Sequence, residues 1–224
     1  MILDPTFLLF IAPAFLLSIW ASMRTKSAFK KYSKVRAASG LTGAQAAERM
    51  LQYANISDVE IVRTRGTLSD HYNPATKTLG LSEPVYDQAS IAAIGVACHE
   101  AGHAIQHANA YKALWLRSAL VPTAKIGSNV GYLMMVIGYF MSATGLVYLG
   151  AVLFSGVLFF QIVTLPVEFD ATARAKKFAV GQGMILDAER VGVNRVLNAA
   201  ALTYVAAAAT TLMTLAYFLL GSRD

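Results

Sequence analysis

The residues of this 224-residue chain best suited to chemistry lie in one string, His99-Glu100-Ala101-Gly102-His103. On a helix, positions i and i+4 stand one turn apart on the same face, so both imidazoles can reach one ion. Zinc suits such a pair. Glu100, one residue after His99, is placed to act as a base toward a water at the open coordination position. A catalytic zinc takes three protein ligands as a rule, so the third must come from elsewhere. His107 completes a His-x3-His-x3-His stripe, but it stands about 12 Å from His99 along a helix rising 1.5 Å per residue, too far to share one tetrahedral ion. It reads as a surface histidine or a support for the ligands. The other remaining histidine is His71, in Asp70-His71-Tyr72, a candidate for a substrate or oxyanion contact.

The third ligand is sought among the carboxylates of Leu165-Pro166-Val167-Glu168-Phe169-Asp170, at the end of a long apolar stretch. An ionisable group at such an edge is costly unless it is paired or ligating, so a role is expected. Pro166 removes a helix hydrogen bond and can kink the chain there. Residues two apart point about 200° apart around a helix at 3.6 residues per turn, so Glu168 and Asp170 do not bind one ion side by side. Glu168 is the expected ligand. Asp170 then orients a ligand histidine or pairs with Arg174, and the reverse assignment is the alternative. Arg190, Arg195, Tyr204 and His71 are candidates to stabilise an oxyanion. Membrane anchoring accounts for both arginines without catalysis. Cys98 adjoins the motif but points about 100° away from His99, as a buried thiol rather than a nucleophile.

The elements that must carry these residues are set by where charge is missing. Residues 5–23, 126–167 and 196–222 contain no Asp, Glu, Lys or Arg. A helix of about 20 apolar residues crosses a bilayer, and the middle gap of 42 residues is long enough for two crossings. With 56% apolar and 14% charged residues, a soluble domain, a disordered chain and a nucleic-acid binder are excluded. The expected fold is a mainly α integral membrane protein of about four transmembrane helices with a small α+β, zincin-like cytosolic portion. Residues 1–23 form helix 1, 24–118 the cytosolic portion, 119–165 helices 2 and 3, 166–197 a second cytosolic segment, and 198–224 helix 4 and the tail. A short uncharged turn near Ser142–Gly145 joins the middle spans.

Eighteen of the 19 basic residues then fall on one side, which the positive-inside rule makes the cytoplasm. The expected location is a cell membrane, crossed several times, with the site facing the cytoplasm. The run Arg24, Lys26, Lys30, Lys31, Lys34 and Arg36 reads as an anchor to anionic lipid. Asp4 before the first apolar stretch and the basic run after it invert the order of a cleaved signal peptide. The single cysteine, Cys98, agrees with a reducing compartment.

Within 24–118, Thr42 can cap a helix with apolar positions Ala46, Ala47, Met50, Leu51 and Ala54. Val59–Arg63, Leu68–Tyr72 and Thr76–Leu81 read as strands, the last two joined by a turn at Asn73-Pro74-Ala75. Helical spacing returns from about Asp87 to His107, and a further helix runs from Asp187 to about Asn198 into the last span. The glycines of the middle gap, from Gly127 to Gly156, suit close helix packing. The strand around Thr76–Ser82 is expected to hold an extended substrate by edge pairing.

Four motifs, Leu68-Ser69-Asp70-His71-Tyr72-Asn73-Pro74, His99 to Gln106, Pro166-Val167-Glu168-Phe169-Asp170-Ala171 and Leu197 to Tyr204, carry a resemblance over almost the whole chain. It resembles the bacterial neutral zinc metallopeptidases often called YugP-like membrane proteases. The resemblance implies a gluzincin-type site, with His99, His103 and Glu168 as ligands and Glu100 as base. More distantly, the chain is similar to the HtpX and CAAX-type membrane peptidases, whose second motif has Asp four residues after the ligand Glu. Here that position is Thr172, so the match fails there.

The expectation from the sequence is a membrane zinc endopeptidase with one catalytic Zn2+, acting on a membrane-protein or peptide substrate at the cytosolic face. Self-association through the glycine-lined helices is open. The rival is a zinc-binding adaptor or pseudo-protease that cleaves nothing, against which the intact Glu100 argues. A metal transporter would need ionisable groups inside its spans, and the run 126–167 offers only residues such as Ser128, Asn129 and Gln161.

Overall fold

The computed structural model describes residues 5–221; Asp4 and Arg223, which entered the charge argument, lie outside the described residues. In chain order the elements are α1 (Pro5–Tyr32), α2 (Gly43–Tyr53), β1 (Glu60–Thr64), β2 (His71–Asn73), β3 (Thr78–Ser82), α3 (Glu83–Tyr86) and α4 (Ile91–Ala108). They continue with α5 (Lys112–Ile126), a π-helical turn Gly127–Gly131, α6 (Tyr132–Phe140), α7 (Thr144–Gly181), a 3-10 turn Asp187–Glu189 and α8 (Arg190–Gly221). Two compact units emerge. One takes the described residues up to Ser22, Trp115–Pro166 and the chain from Leu202; the other takes Met23–Leu114 and Val167–Ala201.

The first unit is helical, and its segments belong to four stretches long and apolar enough to cross a membrane: Pro5–Tyr32, Lys112–Phe140, Thr144–Gly181 and Asp187–Gly221. At most 28% of any of their apolar windows is buried within the chain, so the remaining apolar surface needs lipid rather than water. Leu9 and Val152, 70% and 69% exposed, stand on that surface. The turn between α6 and α7 passes through Ser142 at φ +52°. Close helix approach is written in glycine: a Cβ on Gly150 would lie 2.7 Å from the Gly131 carbonyl oxygen, and one on Gly131 2.9 Å from that of Gly150. Gly127 and Gly138 meet α7 backbone in the same way, whereas Gly145 has nothing near it.

The second unit packs α2 and α4 against a three-stranded sheet of order β1-β3-β2. Thr42 caps α2, its Oγ1 accepting from Gln45 N–H while the Gln45 side chain accepts from Thr42 N–H. Ala46, Ala47, Met50 and Leu51 then enter the core with Leu79 and Leu81 of β3 and Ile94, Ala97, Cys98 and Ala101 of α4. Ser90 Oγ accepts from Ala93 N–H and starts α4 at Ile91, four residues later than the spacing suggests; Glu83–Tyr86 is a separate turn of helix.

Two expectations need correction. Leu68–Asp70 is not strand: Leu68 takes φ +57°, Ser69 Oγ donates to the Arg65 carbonyl, and β2 begins only at His71. β3, the strand expected to hold substrate by edge pairing, is the middle strand, parallel to β1 and antiparallel to β2, so both its edges are taken. The unpaired edges among the described residues belong to β1 and β2. α7 runs from Thr144 through Pro166 to Gly181 as one helix, and the helix expected to lead into the last span is α8, continuous from Arg190 to Gly221.

Candidate metal centre

Helix α4 presents His99 and His103 one turn apart, with ring centroids 4.9 Å from each other and planes at 81°. Glu168 of α7 meets them. Its Oε2 lies 3.2 Å from His99 Nε2 and 3.6 Å from His103 Nε2, and its side chain is 1% exposed. One ligand atom from each of the three residues falls within 4.8 Å of the others. The approach is possible because Gly102 faces α7: a Cβ there would lie 3.0 Å from the Ala171 carbonyl oxygen. The glycine in the motif therefore lets the two ligand-bearing helices touch.

These donors fit a zinc ion. At bond lengths near 2.1 Å, tetrahedral coordination separates neighbouring donor atoms by about 3.4 Å, which lies between the two N···O distances given above. The chemistry of the rings agrees. His103 Nδ1–H donates to Gln106 Oε1 at 2.9 Å, and His99 Nδ1 lies 3.3 Å from Thr172 Oγ1. Each ring has its Nδ1 occupied elsewhere and its Nε2 turned toward the carboxylate, the arrangement a metal-binding imidazole requires. Burial works against a proton on His103, but hydrogen bonding to Glu168, the Glu100 charge and the Gln106 contact outweigh it, and its pKa is raised. The carboxylates of Glu100 and Glu168 thus bring negative charge to the spot where the Nε2 atoms converge. Glu100 is buried, 9% exposed, on the same helix.

Asp170 does not join the three. Its Oδ2 accepts from Arg174 Nε at 2.6 Å and from Gln106 Nε2 at 2.8 Å, so it both pairs at i+4 and holds the residue that holds His103. His107 Nδ1 is hydrogen-bonded to Tyr72 OH at 2.8 Å and lies outside the ligand set. His71 projects from the sheet face opposite Tyr72: its ring lies beside Gly80, while Tyr72, Leu79 and Ile61 share the face packed into the core with α4. Its Nδ1–H donates to the Ser69 carbonyl. Arg195 is exposed and donates to Tyr32 OH, Arg190 is exposed at the start of α8, and Tyr204 falls in the α8 segment of the first unit. Cys98 is fully buried beside Met184, and burial pushes its thiol up to about 12. Sequence reasoning missed Gln106 and treated Thr172 only as a mismatch. The signals were present as spacing: Gln106 is i+3 from His103, and Thr172 is i+4 from Glu168.

Comparison with known proteins agrees with this centre. Residues 7–223 match the family described as "Putative neutral zinc metallopeptidase". The chain is 50% identical over 204 residues, 91% of each chain, to a protein of Bacillus subtilis (strain 168) named "Putative membrane protease YugP". No solved structure matches it.

Proposed function

The chain belongs to the neutral zinc metallopeptidase family, and from that premise we propose that it is a membrane-embedded endopeptidase whose centre hydrolyses peptide bonds at the cytosolic membrane surface. The observation that carries the reading is the convergence of His99 and His103 Nε2 on one oxygen of Glu168. These three residues would hold the zinc. Bound there, the ion supplies Lewis acidity that polarises a carbonyl and makes water a better nucleophile near neutral pH.

The rest is done by the chain. Glu100 takes a proton from the attacking water on its carboxylate and later passes it to the departing amine. The second half of the site is rigid by construction, since Gln106 and Thr172 hold the backs of the two rings. With β3 enclosed, the unpaired edge of β2, whose Tyr72 is hydrogen-bonded to His107 of α4, is the better place for an extended substrate. The charge distribution supports a cytoplasmic site, and the basic run after the first span supports contact with anionic lipid headgroups. Membrane proteins or peptides at that surface are the expected substrates.

The test is metal analysis of purified wild type, Glu100→Ala and Glu168→Ala, beside a general peptidase assay. Glu100→Ala should keep stoichiometric zinc and lose cleavage, whereas Glu168→Ala should lose most of both. Full zinc in Glu168→Ala would move the third ligand elsewhere. A zinc-loaded wild type that cleaves no peptide would leave a metal-binding adaptor as the reading.

A further inference from the structure

One fully buried amide ties the centre together. Gln106, 0% exposed, makes three hydrogen bonds. Its Nε2 donates to the Val167 carbonyl and to Asp170 Oδ2, each at 2.8 Å, and its Oε1 accepts from His103 Nδ1–H at 2.9 Å. The orientation of the amide follows from its partners. A carbonyl and a carboxylate only accept, so the nitrogen must face them and the oxygen must face the imidazole. Asp170 is in turn held by Arg174.

We propose that Gln106 is the positioning residue of the metal centre: it fixes His103 with Nε2 toward the ion and pins the backbone that immediately precedes Glu168. The inference rests on the zinc-peptidase reading and adds to it a residue outside the ligand set and the base. Its two ends act on different ligands. The oxygen sets the tautomer and ring angle of His103. The nitrogen, on Val167, sets how far Glu168 stands from that ring. Asp170 and Arg174 extend the relay and keep the amide from turning over.

The experiment uses the full-length protein in detergent, stripped of metal and titrated with zinc against a chromophoric chelator, and with cobalt(II) for its visible spectrum. Gln106→Met keeps the side-chain length and removes every hydrogen bond. It should lower zinc affinity by about 10–100-fold and alter the cobalt spectrum, with the helical signal of the metal-free protein retained. The paired variant Gln106→Glu with Asp170→Asn keeps an acceptor for His103 and a hydrogen bond between positions 106 and 170, but it turns a carboxylate oxygen toward the Val167 carbonyl and so loses that bond. It should bind zinc more tightly than Gln106→Met and about tenfold more weakly than wild type, a graded loss that restored packing alone does not produce. Two results would overturn the proposal: wild-type affinity and spectrum in Gln106→Met, or a paired variant no better than Gln106→Met. If Gln106→Met does not fold, the paired variant decides alone, a loss of about tenfold supporting the proposal and wild-type affinity overturning it. Neither readout involves cleavage, so an inactive but zinc-binding wild type would sink the peptidase reading without deciding this one.

Discussion

Gly102 offers a way to move the two halves of the metal centre apart without touching a ligand. It lies between Glu100 and His103 on α4 and faces Ala171, three residues beyond Glu168 on α7. In Gly102→Ala the new Cβ would sit 3.0 Å from the Ala171 oxygen and 3.3 Å from its Cα; reaching ordinary contact at 3.4 Å needs the helices to part by about 0.4 Å. Metal–ligand distances tolerate deviations of about 0.2 Å. The displacement exceeds that, and one of the three donors must strain. We expect zinc affinity to fall about tenfold, equivalent to about 1.4 kcal/mol. Fold stability responds to two opposing effects. Alanine gains about 1 kcal/mol over glycine in a helix interior, against about 1–3 kcal/mol for overpacking. The metal-free protein should therefore lose no more than about 2 kcal/mol. Chelator competition measures the first quantity and thermal melting in detergent the second. Gly102→Val should widen the gap further and bind zinc more weakly still. Wild-type zinc affinity in Gly102→Ala, or tighter binding in Gly102→Val than in Gly102→Ala, would refute the claim that helix contact at this glycine sets the ligand spacing.

Other outcomes follow from the same geometry. Thr172→Val removes the oxygen beside His99 Nδ1 and should weaken zinc binding about tenfold, with Thr172→Ser close to wild type in the same chelator titration. Asp70 accepts from Ser82 N–H at 2.8 Å and from Ser82 Oγ, and Ser82 is fully buried. Asp70→Ala should cost about 1–3 kcal/mol through those unpaired donors, read as a lowered melting temperature, and Asp70→Asn should recover most of it. Cys98, buried and with its thiol pushed up to about 12, should resist iodoacetamide at pH 8 in the native protein and react once the protein is denatured; equal labelling in both states would contradict its placement.

Several elements were legible from the chain alone, each for a local reason. The capping box at Thr42 and Gln45 and the buried faces of α2 and α4 follow from periodicity within one helix. The turn at Asn73-Pro74-Ala75 is an Asn side chain accepting from the N–H two residues on. What went astray was non-local. Leu68–Tyr72 has strand-like residues, but Ser69 bonds back to Arg65 and Asp70 is spent on Ser82, twelve residues away. β3 was taken for an edge because sequence order says nothing about which strand is inserted between the other two.

By itself the amino-acid sequence determined the number of long apolar helices and the pairing of His99 with His103, with Glu100 beside them. Those features depend only on composition and on 3.6 residues per turn. Tertiary structure was needed to bring Glu168, the expected ligand, rather than Asp170 to the imidazoles, and it alone decided that Gln106 and Thr172 stand behind them and that β3 is enclosed. The arrangement around the imidazoles depends on two segments some 65 to 75 residues apart coming to one spacing, as in the contact of Thr172 with His99 and of Gln106 with Asp170, and the enclosure of β3 on which strand is inserted between the other two. No periodicity within a helix encodes that distance. It is set where the bare backbone of Gly102 lets α4 rest on Ala171.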